Sequence, residues 1–441
     1  MTKKHLIPLP ALVSESKISS NALMVIHKLN KAGYKAYLVG GGVRDMLLGL
    51  KPKDFDIATN AKPEQVKAVF RNCRLIGRRF RLAHILFGRE IIEVATFRGH
   101  HDEGDSASSF SSKNQRIDYR QLKGHTQDGR IVRDNVYGSI EEDAVRRDFT
   151  VNALYLDIQN NGLIDYVNGL NDVDKKLLKV IGEPSIRYHE DPVRMLRAVR
   201  FAAKLDFTIE QQTAAQIFKL SHLLAGIPAA RLIDESIKLF QGGYGLKCFD
   251  LLQQYDLFKM LFPSVAELLE AKNSKQVFSM INQALENTDQ RIAIGKSVNP
   301  AFFLAVLLWY PMQKLKQVYL QKGSEMEASQ KAATEVLRKQ QAFTSIPKRF
   351  SFMIKDIWYM QWFMQKPSRK KAAWILHHKR FRAAYDFLQL RVKVGETQYQ
   401  EIYQWWTDIQ ELNEQQQELK ISELAAPMKR KKRVKSKQYA E

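Results

Sequence analysis

Two patterns of apolar and polar residues divide the chain. From Asn21 to Ile181, short runs rich in β-branched and aromatic residues alternate with short helical patterns, with Gly and Asp at the joins, which is typical of an α/β or mixed α+β fold. Beyond Pro184, apolar residues recur every three or four positions, which predicts that the remainder, more than half of the chain, is helical.

The first region carries a regular series of predicted elements. Strands are predicted over 35–39, 55–58, 81–87, 91–97 and 151–158, and helices over 43–48 and 63–70. The stretch from His100 to Arg130 is polar and predicts a loop, whereas the mostly charged residues after Pro427 predict disorder. We therefore predict an N-terminal extension (1–20), a head with a mixed sheet (21–181), an all-α elongated neck (182–250) and body (251–426), and a disordered basic tail (427–441).

Composition indicates a soluble globular protein. Of the 441 residues, 45% are hydrophobic and 26% are charged, as in ordinary folded domains. The two cysteines, Cys73 and Cys248, have no zinc-ligand spacing around them, so a reducing compartment is expected. The longest apolar run, Pro300 to Met312, is shorter than the roughly 20 residues of a membrane-spanning helix. We expect a cytoplasmic location.

The formal net charge is +22, which favours a polyanionic partner such as nucleic acid. Seven of the positive charges lie between Lys429 and Lys437, so most of the surplus lies elsewhere. A basic protein whose charge serves solubility is the alternative.

The strongest local motif is a glycine run, Gly40 to Gly42, between a predicted strand and a predicted helix. Such a turn lets backbone N–H groups approach a phosphate. Asp54 and Asp56 follow two positions apart, so on a strand both carboxylates point to the same face. Paired carboxylates next to a phosphate turn predict a Mg²⁺ site; a polar edge strand or an Asx turn is the alternative.

Two Mg²⁺ ions could activate an attacking hydroxyl group and stabilise a departing pyrophosphate. Glu93, on the predicted strand 91–97, is the candidate third carboxylate, although it could also be a solvent-facing strand residue. Arg146 and Arg147 could hold triphosphate oxygens through paired hydrogen bonds. The neighbouring Asp148 belongs to this cluster or simply pairs with Arg147.

A further cationic cluster begins at Glu190. Asp191 and Pro192 have the residue types of a helix start, and the arginines that follow at intervals of three would share one helix face; they are Arg194, Arg197 and Arg200. A nucleotide pocket and a plain solvated face both fit this pattern.

Four motifs in this order resemble those of class II nucleotidyltransferases, the tRNA CCA-adding enzymes and bacterial poly(A) polymerases of the polymerase β superfamily. The matching segments are LVGGGVRDMLLG (38–49), KDFD (53–56), RRDFTVNA (146–153) and EDPVRMLRAVRFAAKL (190–205). The resemblance implies a nucleotidyltransferase head that uses two Mg²⁺ ions and a nucleoside triphosphate. The expected partners are RNA 3′ ends, with RNA-decay or RNA-chaperone proteins as candidates.

The resemblance also implies individual residue roles. Asp54 and Asp56 would bind metal together with Glu93, and Asp148 would complete the catalytic acids. The nucleotide would be bound by two groups of residues, the first for triphosphate and ribose and the second for the Watson–Crick edge of the base: Gly40, Gly41, Arg44 and Arg147, then Asp191 and Arg194, supported by Arg197.

Two further segments resemble the poly(A) polymerase branch, namely the arginine-rich stretch 75–87 and the basic tail. They supply the predicted RNA-binding residues Arg78, Arg79, Arg81, Lys429, Arg430, Lys431, Lys432 and Arg433. The resemblance therefore favours transfer of AMP from ATP to RNA. Addition of CCA to tRNA is the first alternative, and an inactive RNA-binding protein with the same fold is the second.

Overall fold

The computed structural model describes residues 6–10, 13–77, 81–99, 136–272, 274–321 and 323–424. The chain folds into two compact units. The N-terminal unit comprises Met1–Ile227 with Asp250–Leu257, and the C-terminal unit comprises Pro228–Phe249 with Phe258–Glu441. The predicted loop over 100–130 and the predicted tail over 427–441 lie outside the described residues.

An eight-stranded mixed sheet is the centre of the N-terminal unit. Its strand order is β1-β8-β7-β2-β3-β6-β5-β4, in which β3 and β6 are parallel and the other neighbours are antiparallel. The strands are β1 Leu6–Pro8, β2 Ala36–Val39, β3 Asp56–Thr59, β4 Cys73–Ile76, β5 Leu82–Phe87, β6 Glu90–Thr96, β7 Leu154–Asp157 and β8 Gly162–Asp165. A pair of two-residue strands, β9 Leu177–Leu178 and β10 Thr208–Ile209, is separate from it.

Helices connect and cover this sheet. They are α1 Ser20–Lys31, α2 Gly41–Leu47, α3 Pro63–Val69, α4 Ile140–Arg146, α5 Gly169–Asp174, α6 Pro184–Glu190, α7 Val193–Leu205 and α8 Gln211–Leu220. The longest of these, α7, buries one face that includes Leu196, Val199 and Ala203, as the spacing of three and four predicts. The mixed-sheet head predicted from the sequence is confirmed.

The C-terminal unit is built from helices. Among the described residues beyond Ile209, none lies in a strand, which confirms the all-α prediction for this part of the chain. The prediction is wrong at β10, which lies within the predicted neck and pairs with β9. The helices are α9 Ala229–Phe240, α10 Gly245–Gln254, α11 Phe258–Leu261, α12 Pro263–Leu269, α13 Lys275–Ala293, α14 Pro300–Leu307, α15 Trp309–Leu320, α16 Glu325–Gln340, α17 Lys348–Gln365, α18 Arg369–Leu376, α19 Phe381–Lys393, α20 Gln400–Gln410 and α21 Glu414–Ser422. Residues 250–254 of α10 belong to the N-terminal unit.

Aromatic and aliphatic side chains fill the core of the C-terminal unit. Trp406 is fully buried within a cluster contributed by α17 to α20, and its indole N–H donates to the carbonyl of Met364. Trp358 is likewise buried and donates to the carbonyl of Ala305. In the described ranges, no helix combines the length and the hydropathy needed to cross a membrane.

Candidate active site

The glycine turn lies between β2 and α2 and passes close to two other parts of the site. Gly40 has φ of +75°, a left-handed conformation that favours glycine. A Cβ atom on Gly40 would lie 3.6 Å from Nη1 of Arg147, and one on Gly42 would lie 3.1 Å from the carbonyl oxygen of Asp54. The turn therefore passes directly beside an arginine and the backbone of the predicted metal-binding segment.

The carboxylate-bearing strands lie beside this turn in a fixed register. Asp56, the first residue of β3, pairs with Val39 of β2 on one side and with Glu93 of β6 on the other. Asp54 precedes the strand rather than lying within it. Phe55 and Ile57 are nevertheless buried while both aspartates are exposed, so the predicted alternation is present.

The surroundings of Asp56 oppose its negative charge. Although the Asp56 side chain is exposed, the protein around it removes water from its carboxyl, and this desolvation raises the pKa to about 6. The nearby carboxylates of Glu93 and Asp54 act in the same direction, while Arg147 acts against them. The three acidic groups are therefore close enough to repel one another electrostatically. A divalent cation would remove that repulsion.

The donor set fits Mg²⁺ that is shared with a substrate. The described residues contain no group of three His, Cys, Asp or Glu side chains arranged to enclose a metal ion. Mg²⁺ commonly binds one or two carboxylates and takes its remaining ligands from phosphate oxygens and water. Glu93 also lies 3.2 Å from Nε2 of His84, although the two groups do not form a hydrogen bond.

Arg147 follows α4 and is held from its own helix. Its Nε and Nη2 donate to Asp143 at 3.2 and 3.1 Å, and Nε also donates to the hydroxyl of Tyr155 at 3.0 Å. The Tyr155 hydroxyl in turn donates to Asp143 at 2.6 Å. These contacts orient the guanidinium beside Gly40, where a triphosphate would pass.

Asp148 pairs with Arg197 and not with Arg147. One carboxylate oxygen accepts from Nε of Arg197 at 2.8 Å and the other accepts from the side chain of Asn152. Burial favours the neutral acid, but the charge and hydrogen bonds of Arg197 outweigh it and lower the pKa of Asp148 to about 2. The pairing between Asp148 and Arg147 considered from the sequence is therefore wrong.

Arg44 is 1% exposed and its guanidinium is surrounded by protein. Its Nε donates to Asp45 at 2.9 Å and Nη1 donates to Asn152 at 2.5 Å. Because Asn152 also donates to Asp148, Arg44 links α2 to Asp148. Direct contact between Arg44 and a nucleotide stays a prediction; in this structure Arg44 positions its neighbours.

The predicted base-reading residues lie at the join of α6 and α7. The Asp191 carboxylate accepts from the backbone N–H of Val193 at 3.2 Å. The predicted cap lies one residue too early, because α7 begins at Val193 with Pro192 at its N-cap, and Asp191 is the C-cap of α6. Nη1 of Arg194 donates to Glu190 at 2.9 Å and to the carbonyl of Arg187 at 2.8 Å. The arginine is thus fixed at the helix start, as a specific contact to a base edge requires.

Comparisons with known proteins agree with this geometry. The family model described as "Poly A polymerase head domain" matches residues 36–179, "Probable RNA and SrmB- binding site of polymerase A" matches 206–269, and "Polymerase A arginine-rich C-terminus" matches 321–439. Poly(A) polymerase I of Salmonella typhimurium is 46% identical over 96% of this chain and 89% of its own length. The chain belongs to the bacterial poly(A) polymerase I family.

More distant relatives share parts of this family's sequence or fold. The CCA-adding enzyme of Bacillus pumilus is 34% identical over 55% of each chain. The solved structure of a CCA-adding enzyme with ATP is 18% identical, covers 92% of this chain and 87% of its own, and superposes with a TM-score of 0.58. At that identity the structure demonstrates a shared fold only.

The predicted RNA-binding residues are only partly described. Arg81 forms an exposed ion pair with Glu64, with 2.7 Å between Nη1 and the carboxylate, whereas the others predicted for the poly(A) polymerase branch lie outside the described residues: Arg78, Arg79, Lys429, Arg430, Lys431, Lys432 and Arg433. Their role in binding RNA stays a prediction.

Sequence reasoning missed three residues that hold this family site together. Arg187 donates to Glu190 at 2.6 Å and to the carbonyls of Arg146 and Arg147 at 2.7 Å, which joins α6 to α4. Asp143 and Asn152 orient Arg147 and Arg44. The spacing of four residues could have indicated the contact between Asp143 and Arg147.

Proposed function

We propose that the chain transfers AMP from ATP to RNA 3′ ends without a template. The RNA 3′-hydroxyl oxygen forms a bond to the α-phosphorus while the bond to pyrophosphate breaks. The observation that carries this proposal is the register of Asp56 with Val39 and Glu93, beside the glycine turn. This arrangement brings paired carboxylates to the place where backbone N–H groups can bind a triphosphate.

The chain's own residues bind and orient the nucleotide in this proposal. The backbone N–H of Gly41 approaches the phosphates, and the nearby Arg147 neutralises their charge. The N–H of Gly40 donates to the carbonyl of Leu154 at 3.4 Å, so Gly40 contributes through the shape of the turn. Asp191 and Arg194 meet the edge of the adenine base, with Arg197 in support. The ion pair between Arg197 and Asp148 fixes the position of that supporting arginine relative to Asp148.

Asp54 and Asp56, with Glu93 beside them, would hold two Mg²⁺ ions. When bound, the metal supplies Lewis-acid activation of the attacking hydroxyl and charge stabilisation for the departing pyrophosphate. The carboxylates must be ionised to bind it, and the raised pKa of Asp56 indicates that bound metal relieves an unfavourable charge cluster.

Replacement of Asp56 by Asn tests the metal assignment. Asp56→Asn keeps the size of the side chain but removes its charge, so we expect Mg²⁺ binding to be lost and AMP incorporation to fall on the order of a thousandfold or more. Single-turnover incorporation and Mg²⁺ titration measure the two effects. Asp174→Asn, at an exposed position of the same unit, should behave as the parent does. Incorporation near the parent rate by Asp56→Asn would refute the assignment.

Nucleotide choice separates polyadenylation from CCA addition, which uses the same chemistry. Labelled RNA and tRNA lacking its terminus are incubated with ATP alone, with CTP alone or with both. We expect long extension of RNA with ATP alone, because the alignment with poly(A) polymerase I, at 46% identity, covers 96% of the chain. CTP-dependent addition to tRNA that stops at a fixed length would overturn this choice.

We further propose a neck (182–250) that selects the nucleotide and a body (251–426) that binds RNA. The predicted basic residues, including Arg81, would contact RNA phosphates without regard to sequence. RNA-decay or RNA-chaperone proteins remain proposed partners, since one matched family model is described as a binding site for RNA and SrmB. A cytoplasmic location accords with RNA and ATP as substrates.

A further inference from the structure

The C-terminal unit contains a cavity of about 830 Å³ that the catalytic proposal does not use. It lies among helices α15, α16 and α17 and is closed at one side by the end of α19 and the residues that follow. Its wall combines aromatic rings with side-chain amides, among them Trp309, Tyr359, Trp362, Gln313 and Gln330. Its volume is in the range of small-molecule sites.

One wall of this cavity includes an arginine whose guanidinium already has hydrogen-bond acceptors. Arg391 is 2% exposed, and its guanidinium lies 4.8 Å from the ring centre of Trp309 and 4.6 Å from that of Tyr399. It donates to Glu396 at 2.5 and 3.1 Å and to Gln361 at 3.1 Å. Because its donors are engaged, Arg391 gives the cavity a rigid aromatic floor rather than an anion-binding group.

The charged groups that line the cavity balance one another. Lys316 donates to Glu325 at 2.8 Å, Arg391 pairs with Glu396, and Lys355 and Asp356 add one charge of each sign. A triphosphate would meet no excess of positive charge inside. The ligand part that enters is therefore expected to be uncharged and flat, with its hydrogen-bonding atoms at its edge.

Polar side chains line this cavity beside the aromatic rings. The Tyr310 hydroxyl is buried and makes no hydrogen bond in the described structure. Gln313 is half-buried and contributes its side-chain amide to the same wall. Buried polar groups normally have partners, so a ligand that offers donors and acceptors would supply one for the Tyr310 hydroxyl and could also bind the Gln313 amide.

We propose that this cavity is a second nucleotide-binding site that takes an adenine base. An amide offers a donor and an acceptor side by side, which matches the N6 and N7 atoms of adenine, whereas guanine presents two acceptors and is matched by an unoccupied Arg or Lys. The aromatic rings provide stacking surfaces for the base.

The charge distribution indicates how a nucleotide would be oriented. The net charge of +22 attracts polyanions to the protein as a whole, while the balanced interior admits the neutral base. Outside the cavity, Lys366 is exposed and near the lining residue Glu325: the hydrogen bond from Lys316 lowers the pKa of Glu325, and the charge of Lys366 acts in the same direction. Lys366 could therefore bind a phosphate while the base lies inside.

Equilibrium binding of short labelled oligoadenylate and oligouridylate with 3′-deoxy ends tests the base preference on the full chain. Gln313→Leu removes the amide and leaves a shorter apolar side chain, and Tyr310→Phe removes only the hydroxyl. We expect each to weaken oligoadenylate binding about threefold to tenfold and to leave oligouridylate unchanged. Gln321→Leu, on an exposed residue just beyond α15, is the matched control and should bind both as the parent does.

Photo-crosslinking locates the bound base. We expect 8-azidoadenosine within oligoadenylate to label α15, α16 or α17 in the parent and to lose that label in Gln313→Leu. Competition by free adenosine indicates a site for free nucleoside, whereas competition by oligoadenylate alone indicates a site for the RNA strand. Labelling confined to residues outside the cavity, or equal losses for both oligomers in Gln313→Leu, would overturn the proposal.

AMP incorporation into a short primer is measured on the same proteins. This assay reports the catalytic proposal independently, so failure of the cavity proposal and failure of the proposed function give different results.

Discussion

One arginine–aromatic site in each unit combines these groups in opposite proportions. In the N-terminal unit, three guanidinium groups lie against one ring: Arg44 and Arg197 are 5.3 Å and Arg200 is 4.8 Å from the centre of Phe201. In the C-terminal unit, the single guanidinium of Arg391 lies between Trp309 and Tyr399.

This difference suits two kinds of ligand. Several arginines around one ring favour an anionic group, whereas a neutralised arginine between rings favours a flat uncharged group. The ion pairs at these two sites, Arg197 with Asp148 and Arg391 with Glu396, are partly or fully buried, so their removal should affect stability more than removal of surface pairs would.

Removal of the arginine between the rings should have the largest effect. Arg391→Met leaves the Glu396 carboxylate, 12% exposed, without its partner, and we expect the free energy of unfolding to fall by about 3 kcal/mol. Arg391→Lys should recover only part of this, because lysine has neither the planar fork nor the stacking face. Urea unfolding, followed by tryptophan fluorescence, measures both.

A surface pair on the same helix provides the control. Arg382 pairs with Asp386 but is 72% exposed, so Arg382→Met should change the free energy of unfolding by less than about 0.5 kcal/mol. Equal losses for Arg391→Met and Arg382→Met would show that burial does not distinguish the two pairs.

The corresponding pair in the N-terminal unit should have an intermediate effect. Arg197 is 33% exposed and Asp148 is 11% exposed, so solvent compensates part of the loss, and Arg197→Met should cost about 2 kcal/mol at neutral pH. The double variant Asp148→Asn with Arg197→Met leaves no unpaired charge and should recover part of that loss. No recovery would mean that the ion pair does not account for the effect.

Acidification gives an independent check on this pair. The folded-state pKa of Asp148, about 2, lies below the ordinary value of about 3.9, so ionised Asp148 stabilises the fold above about pH 4. That contribution is lost as the pH falls through the folded-state pKa. The difference in unfolding free energy between the parent and Arg197→Met should therefore be largest near pH 7 and smaller near pH 3.

The sequence allowed prediction of those features that depend on local pattern. The alternation of Phe55 and Ile57 with Asp54 and Asp56 is in the structure, as is the helix that begins beyond Asp191. A spacing of two residues determines the alternation, and a spacing of three or four residues determines the helix.

Features that depend on tertiary pairing could not be predicted in this way. Arg197 and Asp148 are 49 positions apart, and residue spacing does not distinguish Asp148 from other carboxylates as the partner of that arginine. The cavity beside Gln313 requires three helices to be placed at once. Taken one at a time, the residues that line it have the same types as residues in an ordinary helical core or on its solvent-exposed edge.

The ring beside the three arginines should give the smallest effect. Phe201→Leu keeps an apolar side chain but removes the π face, and cation–π contacts at partly exposed sites contribute about 0.5 to 1 kcal/mol each. Since Arg197 and Arg44 also have ion-pair partners, we expect the free energy of unfolding to fall by about 1 kcal/mol. We also expect KM for ATP to increase about threefold. Phe201→Tyr retains the π face and should restore both values. Phe218→Leu, at a 58% exposed position of α8, is the control and should change neither value. A KM for Phe201→Leu equal to that of this control would mean that the ring does not position the arginines for ATP.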